Sequence, residues 1–147
     1  MKRILLAALT ALTIASNARA ESPLHRLKGT CIWQSVSYAT TTGAAANAGP
    51  VTSLAEFTFD GHGNLTVGDY DVSTNGTFGS ASSFQGTYQI DADGHGSMTF
   101  TSPISGRTLT FDFFLTPNRK ALKTMLQSDN NPPPLPRVSS GECRFDE

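Results

Sequence analysis

The sequence predicts an all-β domain, a single antiparallel up-and-down barrel of about eight strands, with a two-sheet β-sandwich as the alternative. Three observations predict it. Apolar residues recur at every second position through most of the chain, and no segment carries a long apolar stripe of helical period. Gly-containing clusters interrupt that alternation at hairpin spacing. The chain has two cysteines, Cys31 and Cys143, in what read as its first and last strands. A disulfide between them would bring the two ends of the sheet side by side, and closing a sheet removes its exposed edges.

The elements follow in order. Met1-Lys2-Arg3 is a basic start, Ile4–Ile14 is apolar apart from Thr10 and Thr13, and Ala18-Arg19-Ala20 places small residues where a signal peptidase reads. This is the secretory pattern, and the apolar stretch is shorter than the roughly 20 residues a membrane span needs. Residues 1–20 are therefore expected to be a secretory signal peptide, 21–29 a flexible N-terminal segment and 30–147 the barrel domain, periplasmic or secreted by a bacterium. In such an oxidising compartment Cys31 and Cys143 form a disulfide bond.

The first strand, Thr30–Tyr38, is apolar on both faces, with Ile32, Val36 and Tyr38 against Cys31 and Trp33. Ser53–Phe59 puts Ala55, Phe57 and Phe59 on one face. Leu65–Val72 begins with Leu65 and Val67 and then changes phase to Tyr70 and Val72, which predicts a β-bulge at Gly68. Ser83–Ala92 is the cleanest strand, with Phe84, Tyr88, Ile90 and Ala92 on one face. Ser97–Thr101 presents Met98 and Phe100. Thr108–Thr116 presents Leu109, Phe111, Phe113 and Leu115, and Lys120–Gln127 presents Leu122 and Leu126. Val138–Phe145 takes its place beside the first strand through Cys143. Asp60–Asn64, Asp93–Gly96 and Asn118-Arg119 read as tight turns. Ala39–Val51, Ser73–Ser82 and Ser128–Arg137 read as longer connections, the last holding Pro132, Pro133, Pro134 and Pro136 in an extended conformation.

Composition narrows the function classes. The whole chain carries a net charge of −1. Without Lys2, Arg3 and Arg19 of the signal, eight basic and twelve acidic residues remain, a net charge of −4. A mildly acidic domain lacks the basic patch that nucleic acid or an anionic membrane requires. No nucleic-acid partner is expected, and no integral membrane segment after signal removal.

The turns carry an internal echo. Phe57–Thr66 reads FTFDGHGNLT and Ile90–Thr99 reads IDADGHGSMT. Together with the longer strings Glu56–Thr66 and Gly86–Phe100, these resemble repeats of exported bacterial proteins that look like calycin-type small barrels, the group of lipocalins, avidins and allene-oxide-cyclase-like proteins. The resemblance covers Ser53–Phe100 and implies a barrel fold. The lipocalin G-x-W signature is absent, since Gly29 and Trp33 are four apart, and one tryptophan cannot build an avidin site.

Side chains able to carry chemistry are few. Asp91, Asp93, His95 and Gly96 echo a calcium loop, but position 12 of that loop is Ser102 rather than a carboxylate. His62 and His95 could meet at one end of a barrel, yet two histidines leave a zinc site incomplete, and His25 lies in the N-terminal segment. No metal or cofactor is expected, and no catalytic nucleophile stands out. Glu56 and Asp112 sit mid-strand among apolar residues, and would serve as acid–base groups of a cyclase or isomerase only if their face lined the barrel. The aromatic face gives the leading expectation, an exported protein binding a small apolar ligand. Tyr70, Tyr88, Phe57, Phe84, Phe111 and Phe113 are the expected ligand-binding residues. The competing expectation is an envelope protein-interaction module or inhibitor that captures its partner through the long loops, the Pro132–Pro136 segment above all.

Overall fold

The computed structural model describes residues 22–39, 49–74, 76–129 and 137–145. The expected signal peptide, the Pro132–Pro136 segment and most of the first long connection lie outside the described residues. Eight strands form a closed antiparallel barrel in which each pairs with its neighbours in sequence and the last returns to the first. They are β1 (Lys28–Ala39), β2 (Val51–Asp60), β3 (Asn64–Thr74), β4 (Thr77–Ile90), β5 (His95–Thr101), β6 (Thr108–Leu115), β7 (Ala121–Asp129) and β8 (Arg137–Phe145). Eight strands match the expectation, the last of them resting on Cys143 rather than on alternation, and closure sets the sandwich aside.

Closure depends on the β1–β8 seam, where Trp33 pairs with Cys143 and Cys31 with Phe145. The Cys31–Cys143 disulfide crosses it diagonally, with 5.5 Å between the Cα atoms. Both cysteines are fully buried in the core. The bond spans 112 positions of sequence, so it removes much of the freedom of the unfolded chain.

The sequence reading differs at β4. Ser73–Ser82 reads as a connection because it is rich in Ser, Gly and Thr, but most of it is strand. β3 and β4 pair as far as Thr74 and Thr77, and Gly76 before Thr77 takes a φ of 78°. β5 pairs with β4 only from Gly86 onward. The first half of β4 therefore forms an arm with β3.

The bulge lies where Gly68 predicts it. Ala55 pairs with Tyr70 but Phe57 with Val67, so β3 holds one extra residue. The extra residue moves the inward phase from Val67 to Tyr70. On β4, Ser83 lies between the residues paired with Val67 and Asp69 and takes a left-handed φ of 58°. The kink thus spans two strands. Outside the bulge, the Glu56 carboxylate lies so close that a Cβ on Gly68 would be 3.0 Å from its Oε1.

The two DGHG segments form the same side-chain turn with different backbones. Asp60 Oδ1 accepts the His62 N–H at 2.6 Å and the Asn64 N–H at 3.0 Å, and Asp93 Oδ1 accepts the His95 N–H at 3.0 Å. Gly63 takes a φ of 103°. Its counterpart Gly96 lies in β5, where a Cβ would be 2.2 Å from the Gln89 carbonyl and 2.5 Å from the Phe113 ring. One glycine serves the turn and the other makes room for an aromatic ring. The third expected turn is also present, with Arg119 at φ 58° and the Arg119 N–H donating to the Thr116 carbonyl at 2.7 Å.

Packing is densest toward the β2–β3 and β4–β5 turns. Trp33, Phe57, Phe59, Phe100 and Phe113 are almost wholly enclosed there. Phe57 stacks on Trp33 with centroids 5.1 Å apart and lies 5.6 Å from Phe100. Each such side chain contributes about 1.5–3 kcal/mol through burial. A 3-10 turn, Pro23–Arg26, covers this end. Leu27, just after it, is 1% exposed, and its carbonyl accepts the Tyr88 hydroxyl at 2.8 Å. The Arg26 guanidinium bonds the Ala92 carbonyl. Residues 22–27 thus plug one end of the barrel. The outer face carries threonine pairs, Thr30 with Thr58 and Thr99 with Thr110, at 2.9 and 3.0 Å. Among the described residues no helix is long and apolar enough to cross a membrane.

Two predictions follow from this packing. Replacing both cysteines with alanine should lower unfolding stability by about 4 kcal/mol, as expected for so long a loop. Urea titration of the variant and wild type measures it, and an unchanged midpoint would mean that the seam does not need its bond. The second concerns acid. The Asn64 side chain, followed by the His62 and Asn64 amides, holds the Asp60 carboxyl at about 2, below its ordinary 3.8, against a desolvation effect in the other direction. Because the folded value is the lower one, this contribution is present above about pH 4 and is lost as pH falls toward 2. Asp60→Asn should remove that acid limb from a plot of urea midpoint against pH.

Candidate functional site

The end opposite the plug holds a cavity of about 280 Å³. It arises from the order of residues along the inward faces. On β1 the inward row runs Cys31, Trp33, Ser35, Ser37 away from the plug. On β2 it runs Phe59, Phe57, Ala55, Ser53, and on β5 Phe100 gives way to Ser102 just past the strand end. Large rings fill the plugged half, and small hydroxyl residues take their places in the other half. A serine in the position of a phenylalanine leaves unfilled volume, because neighbouring strands in a closed barrel cannot collapse onto it.

The floor of the cavity is aromatic, formed by Trp33, Tyr70 and Phe111. Trp33 and Phe111 meet edge to face with centroids 5.2 Å apart. The Trp33 indole N–H donates to Thr124 Oγ1 at 3.1 Å, which fixes the ring. Val51, Val72, Leu109 and Leu126 form apolar walls. The Tyr70 hydroxyl reaches the Ser53 and Ser102 hydroxyls; burial raises its ionisation above the ordinary 10, and these two hydroxyls pull the other way. The rim comes from residues 102–107, where the Ser102 N–H donates to the Arg107 carbonyl at 2.8 Å. Ile104 anchors this rim against Gly79 of the β3–β4 arm, leaving no room for a Cβ there. Arg107 lines the cavity, and no carboxylate does among the described residues. The strand ends that flank residues 40–48 and 130–136 lie at this end too.

Of the six expected ligand-binding residues, Tyr70 and Phe111 line this cavity. The β3 bulge is what turns Tyr70 inward. Phe57 and Phe113 are solid core, 0% and 1% exposed. Phe84 packs against Tyr70 and Phe100, with centroids 5.7 and 5.8 Å away. Tyr88 is at the other end, holding the plug. Trp33, the inward serines, Thr74 and Arg107 were not anticipated. Only the serines leave a signal in the sequence, as small polar residues at positions that continue an apolar alternation.

Glu56 and Asp112 lie on the outward face, Glu56 exposed and Asp112 half-buried, between inward neighbours. They do not reach the barrel interior, so the arrangement offers nothing to an acid–base mechanism built on them. His62 packs edge-on to His25, with ring centroids 5.2 Å apart, whereas His95 stacks on Phe114 at 4.2 Å. Among the described residues no three His, Cys, Asp or Glu side chains gather to hold a metal ion.

A variant tests the polar part of the wall. Tyr70→Phe should cost about 1 kcal/mol near neutral pH, the net worth of a buried hydroxyl pairing. It should also flatten the alkaline loss of stability. A phenol whose folded ionisation is raised gives stability that is present below pH 10 and lost as pH rises through the folded value. Urea midpoints at pH 7 and above pH 10 measure both effects. An equal midpoint in the two proteins would place the hydroxyl in solvent. Comparisons of the chain with protein-family models, with curated proteins and with solved structures find no match.

Proposed function

We propose that the protein is an exported small-molecule-binding protein of calycin-like type, holding its ligand in the cavity above Trp33, Tyr70 and Phe111. The observation that carries the reading is the division of one barrel interior into a solid half and a hollow half. A barrel evolved only to be stable gains from filling both halves, yet here Ser35, Ser53 and Ser102 stand where larger apolar side chains would fit. An apolar floor with a few convergent polar groups is the usual make-up of a ligand site. Export to a bacterial periplasm or medium rests on the basic–apolar–small order of residues 1–20, and the buried disulfide favours an oxidising compartment.

Native mass spectrometry of the mature protein, purified gently from its own compartment, tests this reading. The expected result is a reproducible extra mass that is lost on denaturation. The same mass should be missing from Val72→Trp, which fills the cavity. A bare mass for the wild type, or an adduct that survives in Val72→Trp, would contradict the proposal.

A further inference from the structure

We infer that the cavity takes a compact, uncharged phenol, its ring on the Trp33–Phe111 floor and its hydroxyl donating to the cluster of Tyr70, Ser53 and Ser102 oxygens. This rests on the small-molecule-binding reading and adds the size and polarity of the ligand and the contact that holds it.

Size comes from the volume. The cavity measures about 280 Å³, roughly twice the ~150 Å³ apolar cavity that takes up benzene. One ring with short substituents fits, and a long acyl chain does not. The ring is favoured over a saturated body by the floor, where three aromatic side chains meet and Trp33 and Phe111 already stand edge to face. A flat aromatic ligand can extend that arrangement.

Polarity comes from the hydroxyls directly above that floor. Ala55 pairs with both Trp33 and Tyr70, and Ser53 is the next inward residue of β2. Ser102 is the next inward residue after Phe100. Ser53 and Ser102 both line the cavity, and both hydrogen-bond the Tyr70 hydroxyl. Ser102 and Tyr70 are 2% and 3% exposed. Each hydroxyl has one proton and two lone pairs. Two bonds among three hydroxyls use two protons and two lone pairs, leaving one proton against four lone pairs. The cluster therefore has acceptor capacity to spare. A ligand that displaces water from it must bring a donor or leave buried oxygens unpaired. An ammonium would also donate, but among the described residues no carboxylate lines the cavity to pair with it. A phenol supplies the ring and the donor without a charge.

The test compares p-cresol, p-xylene and the cationic 4-methylbenzylamine, which share a ring and differ in the group that meets the hydroxyls. Trp33 is the single tryptophan of the chain, so its fluorescence reports this cavity and no other place. We would titrate the intact disulfide-bonded protein with each compound. Water holds a phenol hydroxyl far better than a methyl group, so a cavity with no partner for the hydroxyl would prefer p-xylene. The wild type should bind p-cresol at least as tightly as p-xylene, with the amine weakest. Ser53→Ala/Tyr70→Phe/Ser102→Ala replaces the whole cluster by apolar groups of similar shape, and in it the affinity ratio of p-cresol to p-xylene should fall at least about fivefold. Tighter binding of p-xylene or of the amine by the wild type, or an unchanged ratio in the triple variant, would overturn the inference and leave the small-molecule reading standing. The wild-type comparison decides alone if the triple variant does not fold. No response of Trp33 to any of the three compounds would overturn both.

Discussion

The interior of a closed barrel has to be filled by the side chains that alternate inward, and this constraint governs the rest of the structure. The strands are held at fixed spacing by their ladders, so a small inward residue cannot be compensated by collapse. Volume must be supplied position by position. In the plugged half, rings do so: Phe57 and Phe59 from β2, Phe100 from β5 and Phe113 from β6 form one continuous cluster with Trp33. The close approach of Phe113 to Gly96 shows the same rule in reverse, since the ring occupies the space that a side chain at residue 96 would need. In the other half Ser35, Ser53 and Ser102 stand among the apolar walls of Val51, Val72, Leu109 and Leu126, and the unfilled volume is the cavity.

Two local devices set where the boundary falls. The bulge at Gly68 resets the inward phase of β3, so that Tyr70 rather than residue 69 faces the interior. Ser83 carries the same kink into β4 through its left-handed backbone, a conformation that costs a non-glycine residue about 1–2 kcal/mol. The β3–β4 arm then continues beyond the β4–β5 pairing and supports the 102–107 rim through Gly79 and Ile104. The plug acts at the far end. Leu27 fills the last space below Phe59 and Tyr88, and the Tyr88 hydroxyl pairs with the Leu27 carbonyl instead of pointing at a ligand.

Much of this architecture was legible in the sequence, and the reasons can be traced residue by residue. The strands were readable because inward residues are large and outward ones are Thr, Gln and Asp, as in Ser83–Ala92. The turns were readable because Asp with Gly two-residue patterns leave few alternatives, and the change of phase at Gly68 could have no cause but an extra residue. The arm does not show in the alternation because Thr77–Ser82 has one large apolar residue, Phe78, which is exposed, and otherwise only small ones, so its pairing with β3 leaves no periodic trace. The site was half legible. Tyr70 and Phe111 were identified by the apolar face they belong to, but the same reasoning chose Phe57 and Phe113, since alternation tells which face is inward and not how far along the barrel a residue lies. Depth needs the register: only the pairing of Trp33 with Cys143 and Ala55 puts Ser35 and Ser53 at the level of the cavity. Tyr88 lies at the plugged end rather than at the cavity, and nothing in the periodicity of residues 21–29 places Leu27 beneath it.

Enclosed rings occupy one half of the barrel interior and a cavity the other. Xenon, which enters apolar cavities and is visible by its scattering, tests that claim most directly in pressurised crystals. Xenon is expected above Trp33, between Tyr70, Phe111 and Leu126, and not among Phe57, Phe59 and Phe113. Xenon within that lower cluster, or none at the Trp33 floor, would contradict it.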